Sequence, residues 1–155
     1  MALYGEINLL KELKNMNIEG KMLAWFSRFL DQRWTKVKYG ETFSKYKQTK
    51  VGLPQTAVTS TTLFNAHIND LPNIVRNTKT KIGMYADNVV IWASTKNNAK
   101  QHKALEQTNT ALNSLSKWVT ENIMEINASK TVYQFFSMRH KNDSFDLKIN
   151  SQKLP

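Results

Sequence analysis

The chain has 155 residues, 41% of them hydrophobic, which suits one compact domain with a core and excludes a disordered chain. Its 22 Lys and Arg against 12 Asp and Glu give a formal net charge of +10, which favours a polyanionic partner, nucleic acid before an anionic membrane; a basic surface with no specific partner is the bland alternative. The absence of cysteine excludes disulfides, thiolate metal sites and Cys nucleophiles, and fits an intracellular protein.

Residues 1–10 contain Glu6 and only short apolar runs, so they do not read as a signal peptide. Residues 6–16 predict a short helix with Ile7, Leu9, Leu10 and Leu13 apolar, punctuated by Asn15 to Gly20. Residues 21–32 predict a second helix, in which Met22, Leu23, Trp25, Phe26, Phe29 and Leu30 form a wide stripe expected to be core. Residues 34–39 alternate Trp34, Lys36 and Lys38 against Thr35, Val37 and Tyr39. With Gly40-Glu41 as a turn and 42–51 beyond, they predict a hairpin. Its mixture of Arg33, Lys36, Lys38, Lys45, Lys47 and Lys50 with Trp34, Tyr39, Phe43 and Tyr46 suits contact with a nucleic acid, and equally an ordinary solvated sheet face.

Pro54 forbids a helix through Gly52-Leu53-Pro54-Gln55 and biases Leu53 towards extended geometry. Ser60 to Leu71 then predicts a helix with Leu63, Phe64, Ile68 and Leu71 on one side, ended or interrupted by Pro72. Two apolar runs, Ile82 to Ala86 and Val89 to Ala93, flank Asp87-Asn88 and predict a hairpin with an acid at its tip. The second run is the longest strongly apolar stretch and is far too short to span a bilayer. Residues 97–121 carry the longest helical pattern, through Leu105, Thr108, Leu112, Leu115 and Val119, with Trp118 widening the stripe. Residues 131–137 and 145–149 predict strands. His67, His102 and His140 are scattered without metal-ligand spacing.

This order of elements resembles the reverse transcriptase domain of non-LTR retrotransposons, the jockey-like group in particular. Four stretches carry the resemblance: Phe29-Leu30 with Arg33; Gly52-Leu53-Pro54-Gln55 followed by Ser60, Leu63-Phe64-Asn65 and Ile68 to Pro72; Tyr85-Ala86-Asp87-Asn88; and Asn127, Lys130 and Thr131 ahead of Phe135-Phe136. It implies an α+β fold, a partial polymerase palm of antiparallel sheet backed by helices with part of the fingers, forming a single partial domain over 1–155. It further implies an RNA-directed DNA polymerase with RNA template, DNA primer and deoxynucleoside triphosphates as substrates, magnesium as cofactor, no membrane association, and a location in cytoplasm and nucleus.

Two-metal nucleotidyl transfer needs hard oxygen ligands, chiefly carboxylates, around two divalent ions. By resemblance Asp87 is the metal ligand and a catalytic residue, with a plain turn aspartate as the bland alternative. Asn88 stands where the family usually has a second Asp, and offers a carbonyl oxygen without charge. Gly52, Pro54 and Gln55 match the substrate- and template-gripping motif, Gln55 beside the nascent base pair. Thr56 replaces the family's usual glycine, adding β-branched bulk that resists positive φ. Lys130 matches a palm lysine that acts as proton donor or phosphate contact; a solvated strand-edge lysine is the alternative. Tyr85 reads as packing beneath the site. The family's other essential aspartate lies in a strand before the first helix. Residues 1–6 do not match that segment, and Glu6, Glu12, Asp31 and Asp70 are poor substitutes, so the N-terminal palm strand is expected to be missing and the chain inactive.

Overall fold

A computed structural model of the chain describes residues 4–31, 33–49, 52–54, 57–96, 101–136, 145–149 and 152–154, with side chains from residue 8 onward. The chain divides into two compact units, Met1–Asp70 and Leu71–Pro155.

In the first unit, helix α1 (Tyr4–Asn15) ends where Asn17 takes a left-handed φ of 61°. The Asn17 and Ile18 amides then donate to the carbonyls of Lys14 and Leu13, at 2.9 and 3.0 Å, which satisfies the last turn and folds Ile18 back onto the core. Helix α2 (Gly20–Leu30) follows, and α3 (Val58–His67) packs on α1. Their shared core is Leu9, Leu13, Leu30, Leu63 and Ala66, with Leu23, Phe26, Phe29 and Leu53 packed against it. Burying one such leucine contributes about 1.5–3 kcal/mol. The apolar stripe of α2 is therefore narrower than its composition suggests. Met22 and Trp25 are exposed, and Trp25 stacks on Phe29 with ring centroids 5.2 Å apart.

Between α2 and α3 runs an interrupted antiparallel ribbon. Strands β1 (Arg33–Thr35) and β4 (Lys47–Thr49) pair at its base, and β2 (Lys38–Tyr39) and β3 (Thr42–Phe43) pair at its tip around the expected Gly40-Glu41 turn. Base pairs such as Thr35↔Lys47 and tip pairs such as Lys38↔Phe43 differ in register by one residue, so the return strand carries a bulge near Lys45 and Tyr46. Ser44 holds the junction. Its amide donates to the Val37 carbonyl at 2.9 Å, and its Oγ accepts from the Val37 amide at 2.9 Å.

The second unit opens with a 3-10 helix, Leu71–Val75. The helix expected over 60–71 thus runs instead from Val58 to His67, and Pro72 lies in the first turn of a new helical segment, where its missing N–H goes unused. Strands β5 (Lys81–Tyr85) and β6 (Asn88–Trp92) form the expected hairpin. The long helix α4 (Gln101–Glu121) buries Ala111, Leu112, Leu115, Trp118 and Val119. It packs on the 3-10 helix and on β7 (Lys148–Ile149), which pairs with β8 (Gln152–Lys153). Asn109 of α4 clasps that hairpin: its Nδ2 donates to the Asp146 carbonyl at 3.2 Å and its Oδ1 accepts from the Lys148 amide at 3.3 Å.

The expected strand over 131–137 does not form in 131–136, and 145–149 contributes only Lys148–Ile149; residue 137 lies outside the described residues. The architecture is thus α+β, with helices and small two-stranded antiparallel sheets among the described residues.

Candidate functional site

The β5–β6 hairpin closes on Tyr85↔Asn88, leaving Ala86 and Asp87 as a two-residue loop. Such tight loops demand positive φ, and Ala86 supplies it at 51°. A Cβ-bearing residue in that region is uncommon, so the tip is held in a mildly strained conformation that aims the next side chain outward. Asp87 is exposed at the tip, with Asn88 exposed beside it. Tyr85 is 82% exposed, so it does not pack beneath the site as expected. Antiparallel partners share a face, so Ile82, Met84, Val89 and Ile91 line one side of the hairpin and Lys81, Gly83, Tyr85, Asn88, Val90 and Trp92 the other. On the second side the Trp92 ring lies across Gly83, 3.4 Å from where a Cβ would stand. That cross-strand cover stiffens the stem below Asp87.

Lys130 closes a different local structure. It ends the 3-10 turn Ala128–Lys130, for which Asn127 is the N-cap. Asn127 Oδ1 accepts from the Lys130 amide at 3.2 Å and from Ser129 Oγ at 2.7 Å, and its carbonyl accepts from Thr131 Oγ1 at 2.8 Å. The Asn127, Lys130 and Thr131 pattern is therefore a capping motif. Lys130 itself is exposed at a turn end and not at a strand edge.

In the first unit, Gly52 has φ 85° and Leu53 packs on the core. Arg33 Nη2 donates to the Gly52 carbonyl and Ser60 Oγ donates to the Pro54 carbonyl. Arg33 Nε also donates to the Leu30 carbonyl at 3.2 Å, which ties the loop to the end of α2. Sequence reasoning picked out Gly52 and Pro54 and missed these clamps. Arg33 and Ser60 stand among the residues that carry the family resemblance, but nothing in the sequence pairs them with the Gly52 and Pro54 carbonyls. Gln55 and Thr56 lie outside the described residues.

As for magnesium, the hairpin tip supplies one carboxylate, Asp87, and one neutral carbonyl oxygen, that of Asn88. Among the described residues no group of three or more His, Cys, Asp and Glu could hold a metal ion. These residues fit one ligand of such a site and not a two-ion centre. No helix among the described residues is long and apolar enough to cross a membrane.

Helices packed with small antiparallel hairpins, one lifting an acid into solvent at a strained tip, define an α+β chain consistent with part of a nucleic-acid polymerase domain. The family model for reverse transcriptase (RNA-dependent DNA polymerase) matches residues 7–150, continuously through both compact units, and the chain belongs to that family. No curated protein and no solved structure matches it.

Proposed function

We propose that this chain is a partial reverse transcriptase domain of a jockey-like non-LTR retrotransposon, an intracellular palm with part of the fingers, in which polymerase chemistry is lost. The observation that carries the reading is the β5–β6 tip, where Asp87 stands exposed on a two-residue turn and Asn88 leaves it without an adjacent negative charge. Asparagine preserves the volume and one oxygen of aspartate but not its charge, so its attraction for a divalent ion is weaker. The Gly52–Pro54 loop, held by Arg33 and Ser60, would face template and nucleotide together with Gln55, and Lys130 would contact phosphate. Template RNA, DNA primer and deoxynucleoside triphosphates are the substrates of the parent activity, with Mg2+ as its cofactor.

Primer extension tests this directly. The purified chain with an RNA template, a DNA primer and all four deoxynucleotides is expected to give no templated product with either Mg2+ or Mn2+. Templated extension would overturn the loss of activity and leave the family reading intact. The +10 charge favours a second reading, retained nucleic-acid affinity without chemistry, marked by duplex binding that weakens steeply with salt.

A further inference from the structure

We propose that the free edge of β6 is a docking site for a second copy of this chain, whose own β6 adds antiparallel to build a four-stranded sheet. Among the described residues β5 and β6 form a two-stranded sheet, so each presents one edge without a neighbour. Hydrogen-bonded and non-bonded pairs alternate along an antiparallel ladder, and this ladder starts at the Tyr85↔Asn88 pair that closes the two-residue turn. Gly83↔Val90 and Lys81↔Trp92 are then the other bonded pairs. The N–H and C=O groups of Val89 and Ile91 are left pointing away from β5, onto the free edge. An antiparallel copy centred on Val90 sets Val89 opposite Ile91 of the second copy, and Ile91 opposite its Val89. Each of those pairs can exchange both of its backbone hydrogen bonds, so the edge is complementary to itself in register.

Charge selects the occupant. Asn88 to Thr95 holds no charged residue, no proline and no glycine, within a chain of net charge +10. Two such chains repel each other, and along this edge no like charges are opposed. A charged strand would find no counter-charge here, whereas Val89, Val90 and Ile91 pair well with copies of themselves. Val90 is 61% exposed, and its neighbour across β5 is Gly83, which has no side chain to cover it. The second copy supplies that cover with its own Val90, and sets Asn88 against Trp92. The outer edge of β5 is the poorer template, because it begins on Lys81 and has Gly83 at its centre. Pairing along the five residues of β6 covers far less area than a permanent interface of about 1,000 Å², so the dimer is weak, with a Kd on the order of 10–100 μM.

This inference goes beyond the polymerase reading and is tested on the full chain freed of nucleic acid. Sedimentation equilibrium from about 5 to about 500 μM is expected to show a monomer–dimer equilibrium. It should tighten at least about threefold between roughly 50 and 300 mM NaCl, because salt screens the repulsion between two basic chains. An interface of opposite charges would weaken instead, and that result overturns the uncharged edge. Residue-resolved amide exchange should slow with concentration at Val89 and Ile91 and stay constant at Ile82 and Met84 on the outer edge of β5. Protection at both edges, with growth past the dimer, overturns the proposal in favour of open-ended stacking. Val90→Lys sets two ammonium groups opposite each other and should weaken association at least about fivefold. The chain has no cysteine, so Val90→Cys provides a single thiol. In the centred register the two Cα atoms stand about 4.5 Å apart, within disulfide reach. Mild oxidation should therefore cross-link Val90→Cys at least about tenfold faster than Met84→Cys, whose partner lies beyond two strands. Equal cross-linking rates, a monomer throughout the concentration range, or association of Val90→Lys as tight as the parent's each overturns the proposal. Polymerase activity has no bearing on any of these outcomes.

Discussion

Arg33 and Gly52 lie 19 residues apart in sequence and are joined by a hydrogen bond from the guanidinium to the glycine carbonyl. The same side chain donates to the Leu30 carbonyl at 3.2 Å, so one planar cation bridges the end of α2 and the start of the Gly52–Pro54 loop. Lysine has one compact ammonium and cannot reproduce two donors at fixed angles. Arg33→Lys is therefore expected to behave almost as Arg33→Ala. Each should destabilise the first unit by about 1–2 kcal/mol and raise amide exchange around Gly52 and Leu53. Hydrogen exchange by mass spectrometry with chemical denaturation checks this. Full retention of protection in Arg33→Lys would show that charge and not geometry holds the loop.

Ile123 is the opposite kind of site, where the backbone asks for a residue the sequence does not provide. Helix α4 ends as α1 does, with the Ile123 and Met124 amides donating to the Thr120 and Val119 carbonyls at 3.3 and 2.9 Å. The position after the helix must be left-handed, and Ile123 has φ 53°. A β-branched side chain there carries about 1–2 kcal/mol of strain. Ile123→Gly removes it and gives back part through the freer unfolded chain. A net gain of roughly 0.5–1 kcal/mol is expected, seen as a later melt by circular dichroism. A lower melting temperature would mean that packing by the isoleucine outweighs its conformation.

These two positions show what could be read from the sequence and what could not. The α4 stripe was legible because Leu112, Leu115 and Val119 repeat at helical spacing and are all buried. The acid-tipped hairpin was legible because two apolar runs bracket a two-residue loop, and pairing confirms Tyr85↔Asn88. A strand over 131–136 was misread because Val132, Phe135 and Phe136 have strand-like composition, whereas a strand exists only if a neighbour accepts its hydrogen bonds. Val132 and Phe136 remain exposed instead. Pro72 was misread because proline stops a helix from within but starts one without strain. The clamps on the Gly52–Pro54 loop depend on long-range closure, which periodicity does not encode. Within the two apolar runs of the hairpin, Ile82 and Met84 face one way and Val90 the other, a division fixed by register.

Asp146 makes a pH prediction. Lys148 Nζ lies 2.9 Å from one carboxylate oxygen and Lys153 Nζ lies 3.7 Å from the other. The hydrogen bond from Lys148 is the main cause holding the carboxyl below its ordinary value, with Lys153 adding to it. A depressed folded-state pKa contributes stability that is present above the unfolded value and is lost as pH falls through the folded one. The β7–β8 hairpin should therefore loosen only in acid, below the ordinary range of aspartate near 3.9. Carboxyl NMR titration should show Asp146 moving up towards that range in Lys148→Gln and less so in Lys153→Gln. A larger shift from Lys153→Gln would reverse the assignment of the main partner.

Asn88→Asp probes the hairpin tip. The substitution adds a second carboxylate next to Asp87 with little change in volume, on a turn already fixed by Ala86 and by the Tyr85 pairing. Both side chains are exposed, so water and salt damp the added attraction for a divalent ion. The gain in Mn2+ affinity should then be modest, roughly fivefold, comparable with other exposed charge pairs. Paramagnetic broadening of the Ala86 to Val89 amide signals measures it site by site, and Asp87→Asn should abolish the broadening in either background. Primer extension by Asn88→Asp is still expected to be absent, because two neighbouring carboxylates at one tip do not by themselves enclose two ions. Broadening centred elsewhere, or unchanged by Asp87→Asn, would remove Asp87 from the role of metal ligand. Templated extension by the single variant would instead show that Asn88 alone had silenced an otherwise complete site.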